Sequence, residues 1–279
     1  GAEEFRLAHG LLWRRAAGRI QLVVPDDKEL RELALRLSHD APAAGHFGTK
    51  KTLARLQVRF WWRGMTADCK SYCASCQRCQ LFKTQPRPTA TELHTIAPDK
   101  RRWASINVDF VTGLPMTMDG NDAILTVTDR CSKMVHFIPL TFEGSTAKVV
   151  ARLFRDHVWK LHGMPLRILS DRDPRFTGGL WTELCNLLGV DRELTTAYNP
   201  QANGAAERTN STMETYLRLY SDKYGADWDQ HLAAAEYAIN DAVSVSTGHT
   251  PFVLNHGESP NTALDYHLQA ASDEPTQHP

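Results

Sequence analysis

The sequence lacks the features that define several protein classes. Among its 279 residues, no run approaches the eighteen or so apolar residues that span a bilayer, so we expect no membrane association. Its start, GAEEFRLAHG, has no initiator Met, no basic segment and no apolar segment, so no signal peptide is expected. We interpret the chain as a piece of a longer polyprotein. Its 42% hydrophobic content is sufficient for a globular core.

Net charge is also absent, but the two parts of the chain differ. Residues 1–102 hold 19 lysine and arginine residues against 10 aspartate and glutamate residues, whereas residues 103–279 hold 13 against 22. A basic first part beside an acidic second part suits a phosphate-binding arm attached to a metal-binding core rich in carboxylates. A solvated basic face explains the same counts, so the charge distribution only permits this hypothesis.

Cysteine is unevenly placed along the chain. Four of the six cysteines, Cys69, Cys73, Cys76 and Cys79, fall within eleven residues. A secreted disulfide scaffold is normally shorter and follows a signal peptide, whereas tight clustering in a reducing compartment indicates a metal site.

Two histidines complete a plausible zinc ligand set. His39 and His46 are separated by six residues, Cys76 and Cys79 by two, and the two pairs by twenty-nine. Structural zinc takes four nitrogen or sulfur ligands in a tetrahedron. Short helices around these residues would bury little core, and a metal would stabilise them. We therefore predict one zinc ion at His39, His46, Cys76 and Cys79.

A rival pair of the same spacing is Cys73 with Cys76. Cys69, Cys73 and Cys76 follow one another at helical spacing of four and three residues. On a helix, the first two of these cysteines would face the core as small apolar side chains. This favours the pair formed by Cys76 and Cys79.

The order of predicted elements divides the chain into five parts. Residues 1–38 form an N-terminal extension with a short hairpin and a helix that carries Leu30, Leu33 and Leu37 at helical spacing. Residues 39–82 form an all-α zinc-binding domain, 83–102 a linker rich in Pro and Thr, 103–258 a catalytic core and 259–279 a polar tail. The core alternates strands and helices: ASINVDFVTG, DAILTVTDR, KMVHFIPL, LRILSD and DRELTTAY are its five predicted strands. This order predicts an α/β fold with a mixed sheet flanked by helices.

Three acidic residues of the core are candidates for binding two divalent cations, since metal-assisted phosphoryl transfer needs carboxylates from distant parts of the chain. Asp109 lies inside an apolar strand, where an unpaired carboxylate is costly, although a solvated strand face would also explain it. Asp171 ends an apolar strand, and Asp173 is an alternative to it. Glu207 lies in the first turn of a helix, where the helix dipole alone favours an acidic residue.

Several ordered blocks resemble the integrases of gypsy-type long-terminal-repeat retrotransposons and, more distantly, of retroviruses. AGHFGTKKTLARL followed by Cys-x-x-Cys is similar to the zinc-binding domain of this family. VDFVTGLP, TDRCSKMVHFIPL, LHGMP, ILSDRDPRFT, ERTN and TGHTPF resemble blocks of its core. The resemblance extends from about Phe5 to Gly257.

The resemblance implies an RNase H-like core with an Asp-Asp-Glu triad and thirty-five residues between its last two members. Thirty-five residues separate Asp171 from Glu207, which favours Asp171 over Asp173, and Asp109 is then the first member. The triad would hold two Mg²⁺ or Mn²⁺ ions. Residues near the DNA would be Tyr198, Asn203 and Arg208.

This chain departs from the gypsy-type pattern in NPQANGAAER, at Asn199, Asn203, Ala205 and Ala206, and Arg63 replaces a common Pro. None of these positions is a predicted metal ligand. The implied activity is 3′-end processing and strand transfer on double-stranded DNA, namely the element ends and the target. The implied protein is a homo-multimer that is made as part of a cytoplasmic polyprotein and acts in the nucleus.

Two alternatives stay open. One is a decayed or domesticated integrase that only binds nucleic acid, and the other is an RNase H-type nuclease. The sequence pattern fades after Gly257, so we also expect that a DNA-gripping C-terminal module is missing. DNA binding would then be weak, salt-sensitive and indifferent to sequence, because it would depend on phosphate contacts from the basic first part.

Overall fold

The structure, a computed structural model, describes residues 4–16, 18–83, 101–170, 179–188, 204–222, 224–262, 264–266 and 268. For residues 181, 185, 188 and 204–207 the description covers the backbone alone. The chain forms two compact units, one of Gly1–Lys83 with Glu258–Pro279 and one of Thr84–Gly257. Among the described helices, none combines the length and the apolar character that crossing a membrane requires.

The first unit begins with a small sheet. Strands β1 (Glu4–Ala8), β2 (Leu11–Ala16) and β3 (Arg19–Val23) form an antiparallel meander, and the short β4 (Phe60–Trp61) pairs with β3 in parallel. His9 and Gly10 turn the chain with φ of 50° and 75°. The sequence predicted a hairpin here, and the structure adds a third strand because Gly18, with φ of 75°, permits a second tight turn.

The described part of this unit also contains the helices α1 (Lys28–His39), α2 (Thr49–Arg59), α3 (Met65–Ser75) and α4 (Gln77–Phe82). The Asp27 side chain accepts a hydrogen bond from the Leu30 amide and caps α1. The core of the unit contains Leu35, Leu56 and Trp62. Burial of this core and hydrogen bonding at the cap together define where α1 begins and which face turns inward.

The buried face of α1 is not its leucine stripe. Leu30, Leu33 and Leu37 are 40–47% exposed, whereas the buried residues of the helix are Ala34, Leu35, Ser38 and His39. Helical spacing therefore predicted the helix but not its buried face. The buried face is the one that carries Leu35 and His39.

Residues beyond the second unit return to the first. Leu264 packs against the core of the first unit, and the Asp265 carboxylate forms two hydrogen bonds with the Arg59 guanidinium, at 2.5 and 2.7 Å. Thr262 donates its amide and its hydroxyl to the same carboxylate. A short part of the predicted polar tail thus contacts α2.

The second unit contains a mixed sheet in the order β7-β6-β5-β8. Its strands are β5 (Ser105–Val111), β6 (Ala123–Asp129), β7 (Val135–Leu140) and β8 (Arg167–Leu169). β6 is antiparallel to both neighbours, and β8 is parallel to β5. Four of the five predicted strands are therefore present, and the fifth, DRELTTAY, lies outside the described residues.

Helices cover this sheet. α5 (Ala147–Phe154) continues through a π-helical turn (Arg155–Trp159) into α6 (Lys160–His162). Helices α7 (Leu180–Leu188), α8 (Gly204–Tyr220), α9 (Leu232–Asn240) and α10 (Pro251–His256) follow. The core is the apolar face shared by the sheet, α5 and α7, and includes Ile106, Leu125, Phe154 and Leu184.

Side chains from α9 protect the outer strand. Asn240 exchanges two hydrogen bonds with the backbone of Val135, and the Glu236 carboxylate accepts a hydrogen bond from the Phe137 amide. An uncovered edge strand invites pairing with another chain, and these bonds occupy two donors and one acceptor of β7. The first half of the β7 edge is therefore covered by side chains of α9.

Candidate metal centres

Four predicted zinc ligands converge in the first unit. His39 ends α1, His46 follows a short 3-10 helix (Pro42–Ala44), Cys76 lies between α3 and α4, and Cys79 lies within α4. Their ligand atoms all lie within 4.8 Å of one another. Both histidines are almost fully buried, with exposures of 0% and 2%. Residues separated by up to forty positions thus form one cluster.

Three donor–donor distances within the cluster match those around a tetrahedral zinc ion. Cys79 Sγ lies 3.4 Å from His39 Nε2 and 3.8 Å from His46 Nδ1, and Cys76 Sγ lies 3.5 Å from His46 Nδ1. Ligand atoms around a zinc ion with ordinary bond lengths lie roughly 3.3–3.8 Å apart. Two imidazoles and two thiols are also a standard donor set for structural zinc. The residues therefore fit the ion that the sequence predicted.

A left-handed backbone positions the second histidine. Gly45 has φ of 69° and His46 has φ of 48°. This conformation is unusual for a residue with a side chain and persists where the surrounding structure imposes it. The His46 amide donates to the His39 carbonyl at 2.9 Å, which closes the loop between the two histidines. The Gly45-His46 pair therefore brings the second imidazole back toward the first.

A hydroxyl group orients the first histidine. His39 Nε2 faces Cys79, whereas His39 Nδ1 lies 3.2 Å from the Thr52 hydroxyl. That hydroxyl donates its own proton to the carbonyl of Phe47, so it accepts from the imidazole. The chain of bonds places the histidine proton on Nδ1 and leaves the lone pair of Nε2 toward the cysteines. Such partners commonly fix the orientation of metal-binding histidines.

The remaining cysteines of the cluster have different environments. Cys69 is fully buried in the core, as expected for a small apolar side chain. Cys73 packs against that core, yet its Sγ also lies 3.6 Å from His39 Nδ1. This is the nitrogen that faces Thr52, on the side away from Cys79. Cys73 therefore contacts the ring of a predicted ligand without joining the four atoms that face one another.

The environment favours the thiolate form of Cys79. Burial raises the pKa of this thiol, but hydrogen bonds with His39 and His46, together with the positive charge of Lys83, outweigh burial and lower the pKa to about 5. The thiolate is the form that binds metal. The electrostatics and the geometry of the cluster thus agree.

In the second unit, Asp109 lies within β5 opposite Thr126 of β6 and is partly buried. Its Oδ2 accepts a hydrogen bond of 2.9 Å from the side-chain amide of Asn210 on α8, and its Oδ1 accepts one from the amide of Phe110. Asn210 is 8% exposed. This contact ties the middle of the sheet to α8.

The structure describes the other predicted catalytic residues only in part. Asp171, Tyr198 and Asn203 lie outside the described residues. Glu207 lies in the first turn of α8, and Arg208 is exposed on the same helix. Asn210 was not predicted, and a single polar residue inside a helix gives no sequence signal for such a contact. Its position one turn after Glu207 is the most informative feature of this site.

Two family models match the chain. The integrase zinc-binding domain matches residues 26–85, which include all four clustered ligands. The integrase core domain matches residues 100–200, which include Asp109 and Asp171.

Curated relatives and a solved structure agree with these matches. The Tf2-3 and Tf2-4 transposon polyproteins of Schizosaccharomyces pombe are each 31% identical to the chain over 258 residues, or 92% of its length. The matched region is 19% of each polyprotein, so the chain spans about a fifth of these relatives. A chain of the simian T-cell lymphotropic virus intasome, solved with the PP2A regulatory subunit B56 gamma, is similar in fold. Its TM-score is 0.52 at 17% identity, over 86% of this chain and 77% of that chain.

Proposed function

Because this chain belongs to the retroviral integrase superfamily and carries its zinc-binding and core domains, we propose that it joins the DNA ends of a retrotransposon to a target DNA. The first step is hydrolysis that trims the element ends. In the second step, the new 3′-hydroxyl attacks a target phosphodiester while another bond of that phosphate breaks. This transesterification needs no external energy source.

The proposed catalytic residues are Asp109, Asp171 and Glu207. Two Mg²⁺ or Mn²⁺ ions bound to these carboxylates would activate the attacking oxygen and stabilise the leaving oxygen. Asp109 supplies a carboxylate whose position is fixed by β5 and by Asn210. The negative charge of the three carboxylates would attract the two cations.

One observation carries this assignment: Asp109 contacts the helix that bears Glu207. The Asn210 amide binds Asp109 Oδ2 at 2.9 Å, and Glu207 precedes Asn210 by three residues on α8. Residues three apart share one side of a helix. This contact between α8 and Asp109 supports Glu207 as the third proposed ligand, although about a hundred residues separate the two in sequence.

The register of the sheet supports the second ligand. β5 and β8 are parallel, with Asn107 opposite Leu169. In the sequence, Asp109 follows Asn107 by two residues and Asp171 follows Leu169 by two. Neighbouring strands lie roughly 4.8 Å apart, a distance that suits two carboxylates around shared ions.

Substitution of each carboxylate tests the proposal. We expect Asp109→Asn, Asp171→Asn and Glu207→Gln each to abolish strand transfer into a plasmid target, because a two-ion site loses an ion or its geometry. DNA affinity should change little, since phosphates are held elsewhere. Asp173→Asn is the matched control and should retain activity.

The assay also separates the alternatives. Activity that survived Asp171→Asn but not Asp173→Asn would show that the second ligand is misassigned. Cleavage of an RNA–DNA hybrid without joining of DNA would indicate a nuclease of the RNase H type. DNA binding without any Mg²⁺-dependent nicking would indicate a domesticated binding module.

We further propose that the chain works on double-stranded DNA as a homo-multimer in the nucleus.

A further inference from the structure

The small sheet of the first unit has two faces of different character. Residues directly opposite one another on neighbouring strands share a face. Phe5 pairs with Arg14, Arg14 with Gln21 and Ala16 with Arg19, so Arg14 and Arg19 lie on one face. Trp61 is on the same face, because it pairs with Val23, two residues after Gln21. Arg15 and its partner Glu4 lie on the opposite face.

A cavity of about 530 Å³ opens on the first of these faces. Three arginines line it: Arg14, Arg19 and Arg63. Gln21 and Trp61 also line it, and no acidic side chain is among its lining residues. We call these five residues the basic sheet face. The smaller cavity on the opposite face, of about 100 Å³, combines Arg6 and Arg15 with Glu4.

The basic sheet face holds one of its guanidinium groups in a fixed position. The Arg14 guanidinium carbon lies 4.8 Å from the centre of the Trp61 ring, and Arg14 Nη1 donates to Gln21 Oε1 at 2.7 Å. Gln21 is 4% exposed and donates its side-chain amide to the carbonyls of Gln57 and Phe60. Because Arg14 is already ordered, a ligand that binds it pays a smaller cost in side-chain entropy.

Three cations around a cavity without a carboxylate favour a ligand with several negative charges. Arginine forks match phosphate oxygens in geometry as well as in charge. Arg14 covers one face of Trp61, and Phe5 contacts the same ring edge to face at 5.7 Å. The indole therefore serves to hold Arg14 and is not an open platform for a nucleic-acid base.

We propose that the basic sheet face binds the phosphodiester backbone of duplex DNA and does not read its sequence. This inference rests on the proposed function, because that function supplies DNA as the ligand. The first unit would then contact DNA phosphates in addition to the contacts that the second unit makes at the proposed catalytic site. Phosphate contacts of this kind position a protein on a duplex but do not discriminate bases.

Two matched double variants test the inference in the full, zinc-loaded chain. Arg19→Ala with Arg63→Ala removes two charges from the basic sheet face. Arg6→Ala with Arg15→Ala removes two charges from the opposite face, and all four side chains are exposed. Affinity for a labelled duplex is measured by fluorescence anisotropy in the absence of Mg²⁺, over a range of salt, with two unrelated sequences. Zinc content and circular dichroism report folding.

We expect the first variant to bind roughly tenfold more weakly and to reduce the slope of log K against log salt by about 2, equally for both sequences. The second variant should bind within about twofold of the unmodified chain. Equal losses in both variants, an unchanged affinity in the first, or a loss confined to one sequence would each overturn the inference.

Strand transfer measured in parallel distinguishes the two proposals. If the unmodified chain showed no strand transfer, but the variant with Arg19→Ala and Arg63→Ala still bound DNA more weakly, the result would contradict the proposed function alone. An active chain in which both double variants lost the same affinity would contradict this inference alone.

Discussion

Thr52 is the residue on which the orientation of His39 depends. Its hydroxyl lies between His39 Nδ1 and the Phe47 carbonyl, and it is 1% exposed. A buried hydroxyl with both bonds satisfied holds the imidazole in one tautomer. The nitrogen that His39 presents to Cys79 is thereby set by a residue outside the four predicted zinc ligands.

We predict that Thr52→Val weakens zinc binding roughly 10–100-fold, the range found when such partners of metal-binding histidines are removed. Thr52→Ser keeps the hydroxyl and should bind zinc like the unmodified chain. Competition with a chromogenic chelator measures the affinities. Equal affinities in the two variants would show that the hydroxyl does not orient His39.

Cys73 and Cys79 give a second test at this scale, because both contact His39 but through opposite nitrogens. We expect Cys79→Ser to lower the zinc content well below one ion per chain, and Cys73→Ser to leave it at about one, following the single four-ligand site. Metal analysis after gel filtration measures both. Zinc retained by Cys79→Ser and lost from Cys73→Ser would reverse the ligand assignment.

At the scale of elements, α2 connects three parts of the first unit. Its Thr52 contacts His39 of the predicted zinc cluster, its Leu56 lies in the core, and its Arg59 binds Asp265. The Arg59 and Asp265 side chains are 14% and 23% exposed. Burial raises the pKa of Asp265, but hydrogen bonds from Arg59 and Thr262 outweigh it and bring the pKa to about 2.

We predict that Asp265→Asn destabilises the first unit by about 1–2 kcal/mol, because it removes a charged partner from a largely buried guanidinium. The folded pKa lies below the unfolded value, so this contribution is complete above about pH 4 and is lost as the pH falls toward about 2. Urea unfolding followed by tryptophan fluorescence measures both effects.

The matched control is Asp26→Asn, which removes the partner of Arg31. The Asp26 side chain is 94% exposed, so this pair should contribute less than about 0.5 kcal/mol. Equal destabilisation by the two variants would mean that the contact between Arg59 and Asp265 is no more important than an ordinary surface pair.

At the scale of the whole molecule, the two units have different sources of stability. The second unit buries a large apolar core around a four-stranded sheet within the described residues. The first unit has a smaller core and the cluster of His39, His46, Cys76 and Cys79. Small domains that bind a structural metal commonly depend on it for folding.

We therefore predict that a strong zinc chelator unfolds the zinc-binding region, residues 39–82, and leaves the second unit folded. Hydrogen exchange should show loss of protection in α2 and α3 and unchanged protection in β5 and β6. Readdition of zinc should restore the pattern. If chelation exposed β5 and β6, or left α2 protected, the units would not depend on metal in this way.

Much of the fold was predictable because its signals are local. Strand alternation and helical spacing identified the strands of the mixed sheet and the helix α1. The family resemblance implied the integrase core, and the matches to the zinc-binding and core domains confirm it. The third strand of the first unit was missed, since Gly18 marks a turn only when the neighbouring segments are known to pair.

The sequence by itself determined the identity of the four zinc-binding candidates, because ligand type and spacing limit which residues can hold a tetrahedral ion. It did not determine which nitrogen of His39 faces the cysteines, nor that Asn210 would contact Asp109. It also did not show that Arg14 and Arg19 lie on one face of the small sheet and Arg15 on the other, since all three side chains are positively charged. These features depend on contacts between distant segments, and only the tertiary structure decides which segments meet.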